Sequence, residues 1–265
     1  MPWYTILQSF NTSHNRMKAV QIILIVIEAA GLYFTTTGNS LTPSPPGSRI
    51  VPEIPPGKLE ELQEVVFLDI ERVNGRGQSD PIQIGMVKYS YGLGAVVSKE
   101  EINVWTDEEI DEWGSKFCHN IWKVDGKMLK KGQILHHVSQ LQAVEKFDKF
   151  IEGSGYLIAH GDVDFQTIRA LLRKTKDSPS YERVERVDSQ KFFKRVMRRD
   201  HGEAKHGMKT IVDYYGDPAT KAAHEVGAHG ALCDAEALCA VSTGPTLHDR
   251  FKDWLILEVS AERKL

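Results

Sequence analysis

Asp69, Glu71, Asp164, His229 and Asp234 are the residues of this chain whose types and spacing could do chemistry. They lie in three short segments: VFLDIE (66–71), AHGDVDF (159–165) and AHGALCDA (228–235). Four carboxylates and one imidazole suit a pair of divalent cations around a phosphodiester. Hard cations take oxygen ligands, and a histidine near neutral pH can accept a proton from water. Each segment alone says little. A D-x-E pair is usually two solvated acids, and an aspartate ahead of an apolar stretch is usually a helix cap. A histidine beside glycines is usually a surface residue. The three together, each at the edge of a predicted element, reverse those odds.

VVFLDI (65–70) is apolar and partly β-branched, which predicts a buried strand. Residues two apart on a strand share a face, so Asp69 and Glu71 project side by side from its end. Two such carboxylates repel each other and resist desolvation, and a divalent cation resolves the conflict. YLIAH (156–160) predicts a second short strand, and DFQTIRALLRK (164–174) predicts a helix with Phe165, Ile168 and Leu172 at helical spacing. Asp164 stands at the start of that helix, where capping and metal binding are compatible. Asp162 is the alternative ligand if the helix begins earlier. On one continuous helix His229 and Asp234 would lie roughly 140° apart. His229 is therefore predicted in a loop, and ALCDAEALCAV (231–241) as the helix, burying Leu232, Ala235, Leu238 and Cys239. Asp234 falls in the first turn, while His229 is placed as a base rather than a fixed ligand.

These segments resemble the Exo I, Exo II and Exo III motifs of the DEDDh 3′–5′ exonucleases, the DnaQ-like or RNase T-like superfamily. FLDIE resembles the Exo I core, DPIQIGMVKY (80–89) the strand after it, and AHGALCDA the H-x4-D segment. VDSQKFF (187–193) resembles the strand-to-helix step between Exo II and Exo III, so the likeness spans about 62–243. It implies an α/β fold of the ribonuclease H-like type, a mixed five-stranded sheet with helices on both faces. It also implies Mg²⁺ as the cofactor, two ions, with Mn²⁺ able to substitute. Asp69, Glu71 and Asp234 would hold one ion, and Asp69 with Asp164 the other, with His229 as the base. The expected reaction removes nucleoside 5′-monophosphates from a single-stranded RNA or DNA 3′ end. A catalytically inactive nucleic-acid-binding module and a proofreading subunit of a polymerase are the alternatives. Two departures stand out. Gly161 follows His160 where the family usually has Asn, and RVNGRG (72–77) replaces small hydroxyl residues after Glu71. Arg72 and Arg76 could contact phosphates there or be solvated.

Strands are expected near 64–71, 81–91 and 94–105 as an antiparallel meander, with further strands near 156–160 and 184–188. Helices are expected at 138–152, 164–174, 189–199, 207–215 and 231–242, and a last one at 250–259 that covers the sheet or a partner surface. The 41% hydrophobic content supports a full core, and the net charge of −3 excludes the global basic footprint of extensive duplex binding. KFFKRVMRR (191–199), continued by Lys205 and Lys209, is either a solvated helix face or a rim that guides a strand. Cys118, Cys233 and Cys239 make no disulfide framework, and no metal-ligand spacing links them.

Residues 1–57 are expected to be an N-terminal extension ahead of an exonuclease domain at 58–265. Within it lie a hydrophobic segment (19–34) and a Pro/Gly/Ser-rich linker (35–57). The hydrophobic run is short for a membrane span of about 20 residues. An intracellular place, cytoplasm or nucleus, is the expectation. The alternative is a secretory signal or membrane anchor at 17–34, with membrane contact through 19–34.

Overall fold

The computed structural model describes residues 64–73, 79–106, 112–119, 136–227 and 230–262. The expected extension at 1–57, Arg76 and His229 lie outside the described residues. Among the described residues, no helix is long and apolar enough to cross a membrane.

The apolar run of the first segment forms β1 (Glu64–Arg72), flanked by β2 (Pro81–Ser90), β3 (Ala95–Asn103), β4 (Tyr156–Ala159) and β5 (Glu185–Asp188). Together they make one sheet in the order β3-β2-β1-β4-β5. The first three strands form the expected antiparallel meander, while β4 runs parallel to both β1 and β5. β1 is therefore central and covered on both faces, which is why its sequence reads as an unbroken apolar run. Val65 and Phe67 enter one hydrophobic cluster, and Val66, Leu68 and Ile70 enter the other.

The helices follow from these two faces. They are α1 (Glu112–Phe117), α2 (Gln140–Ile151), α3 (Asp162–Lys174), α4 (Pro179–Arg183), α5 (Gln190–His201), α6 (Met208–Tyr215), α7 (Pro218–Gly227), α8 (Ala231–Thr243) and α9 (His248–Glu262). α2, α3 and α4 bury Phe147, Phe165, Ile168 and Tyr181 against the Leu68 face. α5, α6, α8 and α9 bury Phe193, Ile211, Leu238 and Phe251 against the Phe67 face. The last helix thus covers the sheet, and Phe251 stacks on Phe67 with ring centroids 6.3 Å apart. α2 starts at a capping box. Ser139 Oγ accepts from Gln142 N–H at 3.2 Å, and Gln142 Oε1 accepts from Ser139 N–H at 3.0 Å.

Three expectations need correction. α3 begins at Asp162, two residues before the predicted start. β3 ends at Asn103, with only an isolated bridge from Val104 to Val138 beyond it. Leu232 is only partly buried, while the rest of the predicted buried face of α8 holds.

Candidate active site

All the parallel strands point their C-terminal ends the same way, and the acidic residues gather at that end. Asp69 and Glu71 project from β1 on the face that carries Val65 and Phe67, which is also the face covered by α8. Asp234, in the first turn of α8, meets them there. One carboxylate oxygen from each of Asp69, Glu71 and Asp234 lies within 4.8 Å of the other two. Asp164, at the third position of α3, is buried and faces the same cluster from another direction. It stands outside that tightest triplet, yet its charge is the largest neighbouring influence on Asp69.

Asp162 is in a different place. Residues two apart on a helix lie roughly 200° apart, so Asp162 and Asp164 cannot share a face. Asp162 is exposed, accepts from Gln166 Nε2 at 2.7 Å and pairs with Arg169 at 3.1 Å. The earlier helix start therefore leaves Asp164, not Asp162, turned toward the other acids.

The electrostatics are those of several buried carboxylates crowded together. Burial, followed by the charges of Asp164, Asp234 and Glu71, raises the Asp69 carboxyl well above its ordinary range. Burial and the charges of Asp234 and Asp164 push Glu71 up to about 8. Asp164 is pushed up to about 7, chiefly by burial. Arg72 opposes all three shifts. It is half-buried, so of its two expected readings full solvation is the one the structure disfavours. The donor set, several hard carboxylate oxygens that each suffer from the others' charge, fits small divalent cations such as Mg²⁺ or Mn²⁺.

A pH prediction follows for protein stripped of divalent ions. An acid whose folded-state pKa is raised holds a proton that the unfolded chain has already released. Its stabilising effect is complete below the unfolded pKa and is lost as pH rises through the folded value. For Glu71 that window runs from about 4.5 to about 8. Melting in EDTA should therefore show stability falling between about pH 5 and pH 8, by on the order of 3 kcal/mol. Asp69→Asn should flatten the decline and raise the melting temperature at the alkaline end. A flat profile in the wild type would show that the carboxylates do not crowd one another.

Three residues at this site carry no signal in the three motifs. His224 is the buried residue of α7, and its Nε2 lies 3.2 Å from Asp234 Oδ1. Asp188, at the end of β5, adds its charge to the environment of Asp164. Gln83 of β2 is fully buried and sits directly across from Glu71. The Exo II departure also has a physical basis. Gly161 has φ 126°, and a Cβ there would stand 3.1 Å from Gln190 Nε2. Gln190 Nε2 donates to His160 O at 3.1 Å, so α5 is tied to this glycine turn. His160 itself bridges Ser189 Oγ (3.2 Å) and His206 O (2.7 Å).

The RNase T-type exonuclease family matches residues 66–242, and the chain belongs to that family. Among solved structures, E. coli Exonuclease I in complex with a dT13 oligonucleotide aligns with a TM-score of 0.57 at 13% identity. That alignment covers 73% of this chain and 43% of the other. The nuclease domain of 3′hExo, a DEDDh family member bound to rAMP, aligns with a TM-score of 0.50 at 12% identity, over 69% of this chain and 90% of the other. The shared architecture is the ribonuclease H-like mixed five-stranded sheet. This chain spans less than half the length of the Exonuclease I it matches. No curated protein sequence matches it.

Proposed function

We propose that this protein is a 3′–5′ exonuclease that uses two divalent ions to hydrolyse phosphodiesters at a single-stranded 3′ end. The observation that carries this reading is the convergence of Asp69, Glu71 and Asp234 from a strand and a helix distant in sequence, with ligand oxygens within 4.8 Å. Mg²⁺ is the proposed ion, with Mn²⁺ as a substitute. Asp69, Glu71 and Asp234 would hold one ion, and Asp69 with Asp164 the other. Bound there, such ions stabilise charge on the attacking and leaving oxygens of an in-line displacement. The chain's own residues do the rest. The carboxylates fix the ligand geometry, and His229 removes the proton from the attacking water. The exposed cations Lys194 and Arg198 of α5 would guide upstream phosphates, on the side of that helix opposite its buried Phe192, Phe193, Val196 and Met197.

Exonuclease I is seen with a dT13 oligonucleotide and the 3′hExo domain with rAMP. Single-stranded ends of either DNA or RNA are accordingly the proposed substrates. The choice between them depends on whether the pocket accepts a 2′-OH. The test is a matched pair of 5′-labelled RNA and DNA oligonucleotides incubated with the pure protein and Mg²⁺. Progressive shortening from the 3′ end, with nucleoside 5′-monophosphate released, is the expected result. A blocked 3′ terminus and EDTA should each stop it. Cleavage that persists in the chelator would overturn the two-ion reading. Binding without cleavage of either strand would make the chain an inactive binding module.

A further inference from the structure

The distance between Asp234 and the β1 carboxylates depends on how closely the start of α8 approaches β2. Two β2 residues set that approach. Gln83 and Gly85 are two apart on the strand, so they share a face, and they lie directly across from Glu71 and Asp69 respectively. A Cβ on Gly85 would stand 2.1 Å from the Ala231 carbonyl carbon and 2.2 Å from Leu232 N. No side chain of any size fits there, and the helix backbone rests directly on the strand.

Gln83 supplies the second constraint. The first N–H groups of a helix have no partner within it, and a side chain at the N-cap usually provides one. The N-cap of α8 is Gly230, which has none. Gln83 Oε1 instead accepts from Ala231 N–H at 2.7 Å, in a buried contact between residues 148 positions apart. Its amide is held in turn, because Gln83 Nε2 donates to Asn103 Oδ1 at 3.0 Å, and Asn103 Nδ2 donates to Glu101 Oε1 at 3.3 Å. A chain of hydrogen bonds thus runs from β3 through β2 to the first residue of the helix that carries Asp234. Asp234 N–H donates to Gly230 O at 3.0 Å, which transmits the placement of the helix start to the ligand one turn later.

We propose that Gln83 and Gly85 form the seat that places Asp234 opposite Asp69 and Glu71, and that Gln83 is a positioning residue for ion binding by the three carboxylates. This inference rests on the divalent-ion reading above. Partners that orient metal ligands typically change metal affinity about 10–100-fold when removed. Gln83 would act by orienting a whole helix end rather than a single ligand atom.

The test measures Mn²⁺ binding directly, from the loss of the free-ion electron paramagnetic resonance signal, beside kcat and KM for a single-stranded oligonucleotide. Gln83→Leu removes the acceptor at similar volume. It should weaken Mn²⁺ binding about 10–100-fold and lower kcat at fixed ion concentration, with KM for the strand little changed. Gln83→Glu keeps an oxygen for Ala231 N–H and should restore Mn²⁺ affinity to within a few-fold of wild type. If Gln83→Leu does not fold by circular dichroism, Asn103→Ala releases the Gln83 amide from a half-buried position and should weaken Mn²⁺ in the same direction. Wild-type Mn²⁺ affinity in folded Gln83→Leu, or in Asn103→Ala when the former is unfolded, would overturn the seat alone. Failure of Gln83→Glu to restore affinity would overturn the acceptor role. A wild-type protein that binds no Mn²⁺ would overturn the ion reading and the seat with it.

Discussion

Asp69→Ala and Asp164→Asn should each lower hydrolysis by about 10³-fold or more, while Asp162→Asn leaves the rate nearly unchanged. A ligated ion contributes several kcal/mol of charge stabilisation in the transition state, and each ~1.4 kcal/mol is tenfold in rate. Asp69 sits at the centre of the cluster, influenced by Asp164, Asp234 and Glu71 together, so its loss removes a ligand that both proposed ions need. Asp164 is buried and faces that cluster, whereas Asp162 is exposed and engaged with Arg169 and Gln166. Neutralising Asp162 costs at most one surface ion pair, worth ~0–1 kcal/mol of stability and nothing in the transition state. The measurement is single-turnover cleavage of a labelled strand at saturating Mg²⁺, with circular dichroism to confirm folding. The fold should survive, because removing a carboxylate from the ion-free cluster relieves repulsion. The reverse ranking of Asp162 and Asp164 would move the proposed site by two residues and turn the other face of α3 toward it.

The ranking also shows what the chain's letters can and cannot say. The strand pattern was legible because β1 is buried on both faces. VVFLDI has no alternation to confuse, and the D-x-E pair at its end inherits a common side from strand geometry. The helix of Asp234 was legible for a similar reason, since His229 and Asp234 cannot share a face of one helix and the chain must break between them. α8 begins at Ala231, which meets that requirement. The start of α3 was not legible. Gly161 adopts φ 126° and offers no capping side chain, so nothing local marks Asp162 as the first helical residue. What orients Asp164 is the packing of Phe165, Ile168 and Leu172 against the Leu68 face of the sheet.

The missed residues have one cause in common: their roles are made by distant partners. α7 is a helix with a single buried residue, so PATKAAHEVG has no apolar stripe, and its His224 meets Asp234 only through the tertiary fold. Gln83 reads as one polar residue in a strand of apolar ones. Its meaning is the Ala231 N–H that it caps 148 positions later. Gly85 reads as a weak point in a strand, yet a Cβ there would collide with the backbone of α8. Asp188 looks like an ordinary strand end, and only the parallel pairing of β5 with β4 brings it beside Asp164. The local motifs thus indicate which groups do chemistry, while the groups that hold them in place are distributed over β2, β5 and α7.

His229→Ala should leave divalent-ion and strand binding nearly intact and lower kcat by about 10²–10⁴-fold, the usual contribution of a general base. His229 lies outside the described residues, so the expectation stands on its place in the chain, five residues before Asp234 and immediately before the Gly230 N-cap of α8. A base must be neutral to accept a proton, so the wild-type rate should rise with pH as the imidazole loses its own. The rise should level off once the imidazole is neutral. That levelling-off should be lost in the mutant, whose rate should instead keep climbing with pH, because hydroxide must replace water activated by the side chain. Raising the pH should therefore partly rescue the mutant, and the ratio of wild-type to mutant rate should shrink toward alkaline conditions. The kinetic split separates this role from ligation. Loss of a ligand raises the ion concentration needed for half-maximal rate, whereas loss of a base lowers kcat at every ion concentration. The measurement is kcat against pH at saturating Mg²⁺ for both proteins, with Mn²⁺ binding followed independently. An unchanged kcat, or a defect confined to ion affinity, would remove His229 from the proton transfer. The proton acceptor would then have to be sought elsewhere around the cluster, with His224, already 3.2 Å from Asp234, the first imidazole to substitute.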